Sequence, residues 1–330
     1  MHTRIRLLAV PLAAVLLAAC GAGTTPAPSI GPAASAVGPS VAPAASSTAS
    51  VAPASPAAGS PAAAVSASCA KGQVQTLASG KLTIGTDNPA YPPYFAPDAS
   101  AAPAPWKLGD PTNGQGFESA VAYAVAGKLG FATSDVTWVV VPFDNSYAPG
   151  TKPFDFYLAQ VSYTPQRAQA VDMSDGYYYV AQSIVALKGN PITSAKTITD
   201  LKKYRLGAMQ GTTAYTAIKT VIAPTAPISV YSSNDAAIEA VKAKQIDGIV
   251  TDLPTAFYIT AEQLDNSVIV GQLLVVPGPD AEHFSLVLAK GSPLTTCVNQ
   301  ALAALKADGT LDQITREWLA DKASAPVLQP

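Results

Sequence analysis

The segment Val161-Ser162-Tyr163-Thr164-Pro165-Gln166-Arg167 carries the most information in this chain of 330 residues. Its arginine is a fixed cation that follows a weak predicted strand at 154–162. Far downstream, Val250-Thr251-Asp252-Leu253-Pro254 puts a carboxylate just past another predicted strand. In open α/β sheets ligands bind beyond the carboxyl ends of the strands, so these two opposite charges are candidates for one site.

The residues before this segment alternate between strand and helix patterns. Residues 81–86 predict a short strand, which runs into a rigid loop of prolines and aromatic residues at 87–95. Residues 136–141 are apolar and mostly β-branched, which predicts a buried strand. Between them, four apolar side chains recur every four residues and predict a helix with one buried face: Phe117, Val121, Val125 and Leu129.

The same alternation continues beyond residue 182. Thr197 and Asp200 have the spacing of a capping box, and Asn234 is predicted to cap another helix. Strands are predicted at 183–187, 204–209, 228–231, 246–250 and 284–288. Two final helices, one beginning near Leu294, are separated by Asp308-Gly309-Thr310. This order of elements predicts an α/β protein with mostly parallel sheets.

The N-terminus has the features of a secretory signal. Basic residues up to Arg6 precede an apolar run, Leu7 to Leu17, that is too short to span a bilayer. The run ends in Leu17-Ala18-Ala19-Cys20, which resembles a bacterial lipobox. We therefore expect residues 1–19 to be a lipoprotein signal peptide and Cys20 to be acylated, which would anchor the protein to the membrane. The alternative is an ordinary signal peptide followed by an incidental cysteine.

Residues 20–68 are predicted to be a disordered linker. From Gly21 to Ser68 the chain is almost entirely Ala, Pro, Ser, Gly, Val and Thr, with no charged and no aromatic residue. Such a stretch buries too little apolar surface to offset the entropy lost on ordering. Proline-rich linkers stay extended, so this one is expected to hold the folded part away from the cell envelope. Glycosylation of its Ser and Thr side chains is left open.

The remaining cysteines are the next clue. If Cys20 is acylated, Cys69 and Cys297 are left as an even pair outside the cytoplasm, where disulfides form. A bridge would join the start of the folded region to a late helix. The alternative is two free, buried thiols.

Charge and composition exclude several classes of function. The formal net charge is −2, so the chain has no basic footprint for nucleic acid. With two histidines and this use of its cysteines, it has no cluster suited to a transition metal, and no cofactor is expected. The chain beyond residue 68 is long enough for two lobes of ordinary domain size.

Seven short motifs, in family order, resemble the amino-acid-binding solute receptors of ABC importers, which are solute-binding proteins of family 3 with the type 2 periplasmic binding fold. Together they are distributed over nearly all of residues 76–322. The motifs are Gly85-Thr86-Asp87 with Tyr91-Pro92-Pro93, Gly116-Phe117-Glu118, Ser162 to Arg167, Val171 to Tyr178, Gln210-Gly211-Thr212-Thr213, Asp247-Gly248 with Thr251-Asp252, and Ala307-Asp308-Gly309-Thr310-Leu311.

The resemblance implies two α/β lobes joined by two hinge crossovers. Lobe 1 would comprise residues 70–179 and 284–325, and lobe 2 residues 182–280. A ligand would bind in the cleft, and the lobes would close around it.

The resemblance also implies the roles of the main site residues. Arg167 would hold the carboxylate of a bound amino acid with its planar fork. Thr213, where Gly211 and Thr212 open a helix, would share that carboxylate from the other lobe, or would serve only as a helix cap. Ser162 would help to hold the main-chain groups. Asp252 would pair with the ammonium group, with or without a second role as an N-cap.

The part of the pocket that would receive the ligand side chain is less defined. Tyr91 is expected to stack on the ligand or to form a wall, and plain packing is the alternative. Asp87, Phe143 and Asp144 are candidates for contacts that set specificity. Gln160 departs from the family, which usually has a small residue there, and its amide would narrow the pocket or bond a polar side chain.

These features favour an extracytoplasmic receptor that captures a polar amino acid and delivers it to the permease of an ABC importer. A monomer, lipid-anchored to the bacterial cell membrane, is expected. Two alternatives are kept: a cleft enzyme resembling cyclohexadienyl dehydratase, and a ligand sensor. The enzyme would need a carboxylic acid in the cleft, for which Glu118 and Glu282 are the candidates, although neither is predicted to face it. The identity of the amino acid, its affinity and the cognate permease do not follow from the sequence.

Overall fold

The computed structural model describes residues 64–96, 102–274, 281–319 and 325–330. The predicted signal peptide, Cys20 and the linker up to residue 63 lie outside these ranges. The strands are β1 Leu82–Thr86, β2 Val136–Val140, β3 Phe156–Tyr157, β4 Asp172–Met173, β5 Tyr178–Tyr179, β6 Gln182–Leu187, β7 Leu206–Met209, β8 Ser229–Tyr231, β9 Gly248–Asp252, β10 Ser267–Gln272, β11 His283–Phe284 and β12 Val287–Leu288. The helices are α1 Phe117–Lys128, α2 Phe143–Ser146, α3 Pro165–Ala170, α4 Ile198–Leu201, α5 Thr213–Ala217, α6 Asn234–Lys242, α7 Leu253–Tyr258, α8 Leu294–Ala307 and α9 Thr310–Trp318.

The larger strands form two five-stranded sheets, one in each lobe. The order is β2-β1-β3-β12-β4 in lobe 1 and β10-β6-β9-β7-β8 in lobe 2. In lobe 1 every strand except β12 runs in the same direction, and in lobe 2 every strand except β6 does. The predicted α/β class with mostly parallel sheets is confirmed, with one reversed strand in each sheet.

The two reversed strands mark the places where the chain changes lobe. The strand β6 begins just after the first crossing, and β12 just after the second. The crossings lie side by side, because β5 and β11 pair antiparallel, with Tyr179 opposite His283 and Tyr178 opposite Phe284. This two-stranded ribbon gives the fold the two hinge crossovers that the resemblance implied.

Helix α1 forms the centre of the lobe 1 core. The four side chains whose spacing predicted this helix, Phe117, Val121, Val125 and Leu129, are all fully buried. They pack with α8 and α9 in one apolar cluster. In lobe 2, two further clusters include Ile218 and Ile238 respectively. Burial of these faces supplies the main stabilisation of each lobe.

Two local predictions differ from the structure in detail. The helix α6 is capped by Ser233, whose hydroxyl accepts a hydrogen bond from the Ala236 amide at 3.1 Å, and not by Asn234. The capping box of Thr197 and Asp200 is confirmed, since each side chain accepts from the backbone amide of the other residue, both at 3.0 Å.

The strand predicted at 136–141 is present as β2, but the prediction that it is buried was wrong. The strand β2 lies at the edge of its sheet, and Val140 is exposed. A β-branched apolar run suits a half-covered edge as well as a sheet interior, so its composition could not distinguish the two. The weak strand predicted at 154–162 is reduced to Phe156–Tyr157.

The chain ends on lobe 2, although α9 packs in lobe 1. Residues 325–330 run beside β10, where the Leu328 amide donates to the Gln272 carbonyl at 2.9 Å and the Gln272 amide to the Pro326 carbonyl at 2.8 Å. Leu328 is fully buried in the lobe 2 core. The C-terminal tail therefore covers an edge of the second sheet, a role that the sequence patterns did not indicate.

The structure joins Cys69 to Cys297 in a disulfide, with a Cα–Cα distance of 5.3 Å. The bond links the short turn Ala67–Cys69 to α8. Within the described ranges, no helix combines the length and apolar character needed to cross a membrane.

Candidate functional site

A cavity of about 290 Å³ lies between the two lobes. Its wall contains eight of the nine side chains predicted as ligand-binding: Asp87, Tyr91, Phe143, Gln160, Ser162, Arg167, Thr213 and Asp252. Asp144 is not among the lining residues. It is exposed and accepts a hydrogen bond from the Tyr147 hydroxyl at 2.5 Å.

Arg167 is held at one side of this cavity by the start of α3. Thr164 caps the helix by accepting from the Arg167 amide at 3.1 Å, and Pro165 fits the first helical position. Arg167 is 7% exposed. Its Nη1 donates to the Ser162 carbonyl at 2.6 Å and its Nη2 to the Gly211 carbonyl in lobe 2 at 2.8 Å. An arginine has five N–H donors, so further donors remain for an anion.

Aromatic rings cover the Arg167 guanidinium. Its Cζ lies 4.4 Å from the ring centre of Tyr147 and 5.4 Å from that of Phe143. Cation–π attraction favours this placement of the charge. Burial lowers the pKa of Arg167, and the neighbouring Tyr147, Glu282 and Asp144 oppose that shift.

Asp252 ends β9 and caps α7, so the alternative N-cap role is present. Its carboxylate accepts from the Thr255 amide at 2.9 Å and from the Thr255 hydroxyl at 2.8 Å. It also accepts a hydrogen bond from the hydroxyl of Tyr94, a buried residue of lobe 1. Burial raises the pKa of Asp252, and these hydrogen bonds oppose the shift.

Ser162, Thr213, Gln182 and Glu282 form a closed ring of hydrogen bonds behind Arg167. The Ser162 hydroxyl and the Gln182 Nε2 both donate to Glu282 Oε1, at 2.7 and 2.9 Å. The Thr213 hydroxyl lies 3.3 Å from both Gln182 Nε2 and the Ser162 hydroxyl. Thr213 is the first residue of α5, whose cap is Thr212. The ring joins both lobes and both crossovers.

Asp87 and Tyr91 also line the cavity. Asp87 follows β1, and burial raises the pKa of its carboxyl group. The Tyr91 hydroxyl donates to Asp235 in lobe 2 at 2.7 Å, and its ring meets Tyr258 edge to face, with centres 6.4 Å apart. Tyr91 is thus a wall of the cavity that also connects the lobes.

The side chain of Gln160 is directed toward the buried carboxylate of Glu118, within lobe 1. The residue adopts a positive φ of 53°, and its amide N–H donates to Glu118 at 2.7 Å while its side-chain Nε2 donates to the same carboxylate. The Tyr177 hydroxyl donates there as well. Glu118 is fully buried, and burial raises its pKa to about 7. Glu118 itself is not a lining residue of the cavity.

Four of these side chains were not predicted as ligand-binding. Tyr94 and Tyr147 lie next to segments that the sequence had singled out, but nothing in their spacing indicated a contact with Asp252 or Arg167. Gln182 could have been noticed as a polar residue at the start of an apolar strand. Glu282 was considered only as a candidate acid for an enzyme.

The charged groups of the cavity wall are suited to an ion with two opposite poles. Arg167 supplies the positive charge, and Asp87 and Asp252 supply negative charge. Among the residues that the structure describes, no group of three His, Cys, Asp or Glu side chains is arranged to hold a metal ion.

Two α/β lobes, joined by paired crossovers and enclosing a cavity with charged side chains in its wall, define the class of two-lobed periplasmic binding proteins. Residues 82–321 match the bacterial extracellular solute-binding proteins, family 3, and the chain belongs to this family. The resemblance stated from the seven motifs is therefore confirmed, and members named for amino acids are among its relatives.

Three comparisons give the extent of similarity. The ABC transporter glutamine-binding protein GlnH of Bacillus subtilis (strain 168) is 30% identical over 166 residues, which are 50% of this chain and 58% of that protein. The arginine-binding extracellular protein ArtP of the same organism is 27% identical over 247 residues, 73% of this chain and 91% of ArtP. A solved ancestral arginine-binding protein bound to glutamine has a TM-score of 0.58 and 30% identity, with 72% of this chain and 97% of that chain covered.

Proposed function

We propose that this protein is an extracytoplasmic receptor that captures a polar amino acid in the cavity between its lobes and delivers it to the permease of an ABC importer. One observation carries the proposal: Arg167 and Asp252, which come from different lobes, line the same cavity. A free amino acid is a small ion with a carboxylate and an ammonium group. It needs both partners at once.

Arg167 receives the carboxylate in this proposal. Two of its N–H groups are used by the Ser162 and Gly211 carbonyls, and three are left. Those carbonyl contacts and the Tyr147 ring hold the guanidinium in place before the ligand arrives, so little side-chain entropy is lost on binding. Charge-assisted bonds to a carboxylate are among the stronger polar contacts in proteins.

Asp252 receives the ammonium group. A carboxylate offers about four lone-pair sites, and Tyr94 and Thr255 occupy three of them. One site is left for the ligand. Because burial has raised the pKa of Asp252, a positive charge beside it is especially favourable.

Asp87, Tyr91 and Phe143 face the ligand side chain. A half-buried carboxylate and an aromatic wall suit a polar or cationic side chain better than an aliphatic one. Relatives named for glutamine and for arginine agree with that range.

The membrane location is part of the proposal. Acylation of Cys20 would hold the receptor at the outer face of the cell membrane, next to the permease. The linker of residues 20–68 would be long enough for the two lobes to reach the permease. The predicted lobe limits, 70–179 with 284–325 and 182–280, are kept unchanged. Replacement of Cys20 by Ala should release the protein from the membrane fraction of cells, and continued membrane association would contradict the anchor.

The enzyme alternative has little support from this geometry. Glu118, one of its candidate acids, is enclosed by Tyr177 and Gln160 and does not line the cavity. Glu282 holds Ser162 and Gln182. The relatives reported above are named as binding proteins.

Thermal unfolding with each of the twenty common amino acids tests the proposal. An amino acid present at 100 times its Kd should stabilise the protein by about 2.7 kcal/mol. Nuclear magnetic resonance of the same mixtures should show that the amino acid is unchanged after incubation. Failure of all twenty to stabilise the protein, or formation of a product, would contradict a receptor for amino acids.

A further inference from the structure

Two residues that line the cavity, Thr86 and Gln182, each have a buried side-chain oxygen with no hydrogen-bond partner among the described residues, and in Gln182 it is an amide oxygen that can only accept. Gln182 is 5% exposed, and its Oε1 accepts no hydrogen bond from any residue that the structure describes. A buried amide oxygen without a donor is unfavourable, and the large majority of such atoms in proteins are paired. Gln182 lines the cavity and its Oε1 is buried in the wall, so a molecule that packs against this part of the wall can supply the missing donor.

The other end of the amide is fixed. Gln182 Nε2 donates to Glu282 Oε1 at 2.9 Å and lies 3.3 Å from the Thr213 hydroxyl. A carboxylate only accepts hydrogen bonds, so Glu282 requires the NH2 group on its side. The amide cannot rotate by half a turn without placing its oxygen against that carboxylate. Glu282 therefore sets which way Oε1 points.

Asp252 lies beside Gln182. The two residues are paired across the antiparallel strands β6 and β9. Side chains of directly opposed residues project from the same face of a sheet, with Cβ atoms roughly 5 Å apart. Both also line the cavity. Gln182 thus spans the distance between Thr213, at the carboxylate end of the site, and Asp252, at the ammonium end.

An ammonium group needs more than Asp252 provides. It has three N–H donors, whereas the Asp252 carboxylate already accepts from Tyr94 and twice from Thr255. We infer that Gln182 is a ligand-contacting residue whose Oε1 accepts a hydrogen bond from the ammonium group of the bound amino acid, and that Glu282 is its positioning residue. The inference rests on the proposed function and adds to it a second acceptor for the ammonium group.

Titration calorimetry with matched ligands tests this inference. L-arginine and L-glutamine are the probes, each paired with the analogue that lacks the α-amino group. Replacement Gln182→Leu keeps an apolar stem but removes the acceptor. The variant should bind each amino acid about tenfold more weakly, while its affinity for the analogue changes little. If Gln182 had a purely structural role, the substitution would weaken the binding of both compounds equally, and this result would overturn the inference.

Two further variants guard against a misfolded protein. Ser183→Ala is the matched control, since the Ser183 hydroxyl is buried on the same strand and donates to the Thr251 carbonyl, while Ser183 itself does not line the cavity. It should leave both affinities unchanged.

Glu282→Gln keeps the shape of the positioning residue. The new amide can donate as well as accept hydrogen bonds, so it no longer fixes the orientation of the Gln182 side chain. This variant should lose part of the preference for the amino acid over its analogue. An unchanged preference in both Gln182→Leu and Glu282→Gln would overturn the inference. If wild-type protein binds none of the twenty amino acids, the proposed function itself fails, and the inference fails with it.

Discussion

The guanidinium of Arg167 donates a hydrogen bond of 2.8 Å to the carbonyl of Gly211, so a side chain of lobe 1 is tied directly to the backbone of lobe 2. The same guanidinium is the proposed partner of the ligand carboxylate. Binding and lobe closure therefore use one group. A ligand that completes the hydrogen bonding of Arg167 also adds to the contacts that hold the lobes together.

Replacing Arg167 should separate charge from geometry. Arg167→Lys retains a cation but loses the fork, and should weaken amino-acid binding by about tenfold. Arg167→Met removes the charge as well and should weaken it by about a hundredfold or more. Calorimetry measures both. Arg205→Met is the control, since Arg205 pairs with Asp247 on the surface. Full affinity in Arg167→Met would refute the carboxylate assignment.

Asp252 should make binding sensitive to acid. Burial raises its pKa, so its carboxylate takes up a proton at a higher pH than an ordinary aspartate. Protonation removes the charge that attracts the ammonium group, and affinity should fall as pH falls through that raised pKa. Asp252→Asn should bind weakly at every pH. A variant that follows the wild-type pH profile would show that another group is responsible.

Glu118 should give the protein a stability that depends on pH. Its pKa is raised from 4.5 to about 7 in the folded protein by burial. Between these pH values the folded state therefore binds one more proton than the unfolded state. The stability that Glu118 contributes is complete below pH 4.5 and is lost as the pH rises through about 7. The free energy of unfolding should fall by up to about 3 kcal/mol across this interval from this group.

Glu118→Gln is the matched variant for that measurement. The neutral amide removes the titration, so its denaturant-derived stability should change less between these pH values than that of the wild type. Equal slopes in the two proteins would contradict the role of Glu118.

The hydroxyl of Tyr91 should slow ligand release. It donates to Asp235 across the mouth of the cleft at 2.7 Å, and Tyr91→Phe removes this bond while the ring stays against Tyr258. Dissociation measured by stopped flow should be about fivefold faster, because one net hydrogen bond of the closed form is lost. Tyr258→Phe, which also loses a hydroxyl while the ring contact is kept, is the control. An unchanged rate in Tyr91→Phe would limit Tyr91 to forming a wall.

The C-terminal tail should contribute to stability. Leu328 is fully buried in the lobe 2 core, so Leu328→Ala should lower the free energy of unfolding by about 2–5 kcal/mol. Chemical denaturation measures the change. Val327→Ala alters an exposed neighbour and should have a small effect. Equal effects of the two substitutions would mean that the tail is not held in place.

Periodic patterns and local motifs accounted for much of the fold. The four buried side chains of α1 follow helical spacing, and the capping box at Thr197 depends only on residues three apart. Such features are local, so they can be read without knowing which parts of the chain meet. The edge position of β2 and the tail beside β10 depend on distant partners, and no local pattern specifies those.

The site divides in the same way. Arg167, Thr213 and Asp252 follow strand ends, and a general rule for α/β sheets together with the family motifs indicated all three. Tyr94, Gln182 and Glu282 matter through contacts with residues at least 31 positions away. The orientation of Gln160 toward Glu118 likewise depends on a buried carboxylate that the sequence did not connect with it.

A crystal structure of the protein with a bound amino acid tests the central claim most directly. We expect the carboxylate of the amino acid within hydrogen-bonding distance of the Arg167 guanidinium and its ammonium group in contact with the Asp252 carboxylate. An amino acid bound elsewhere, or held in the cavity without contact to either side chain, would contradict the account.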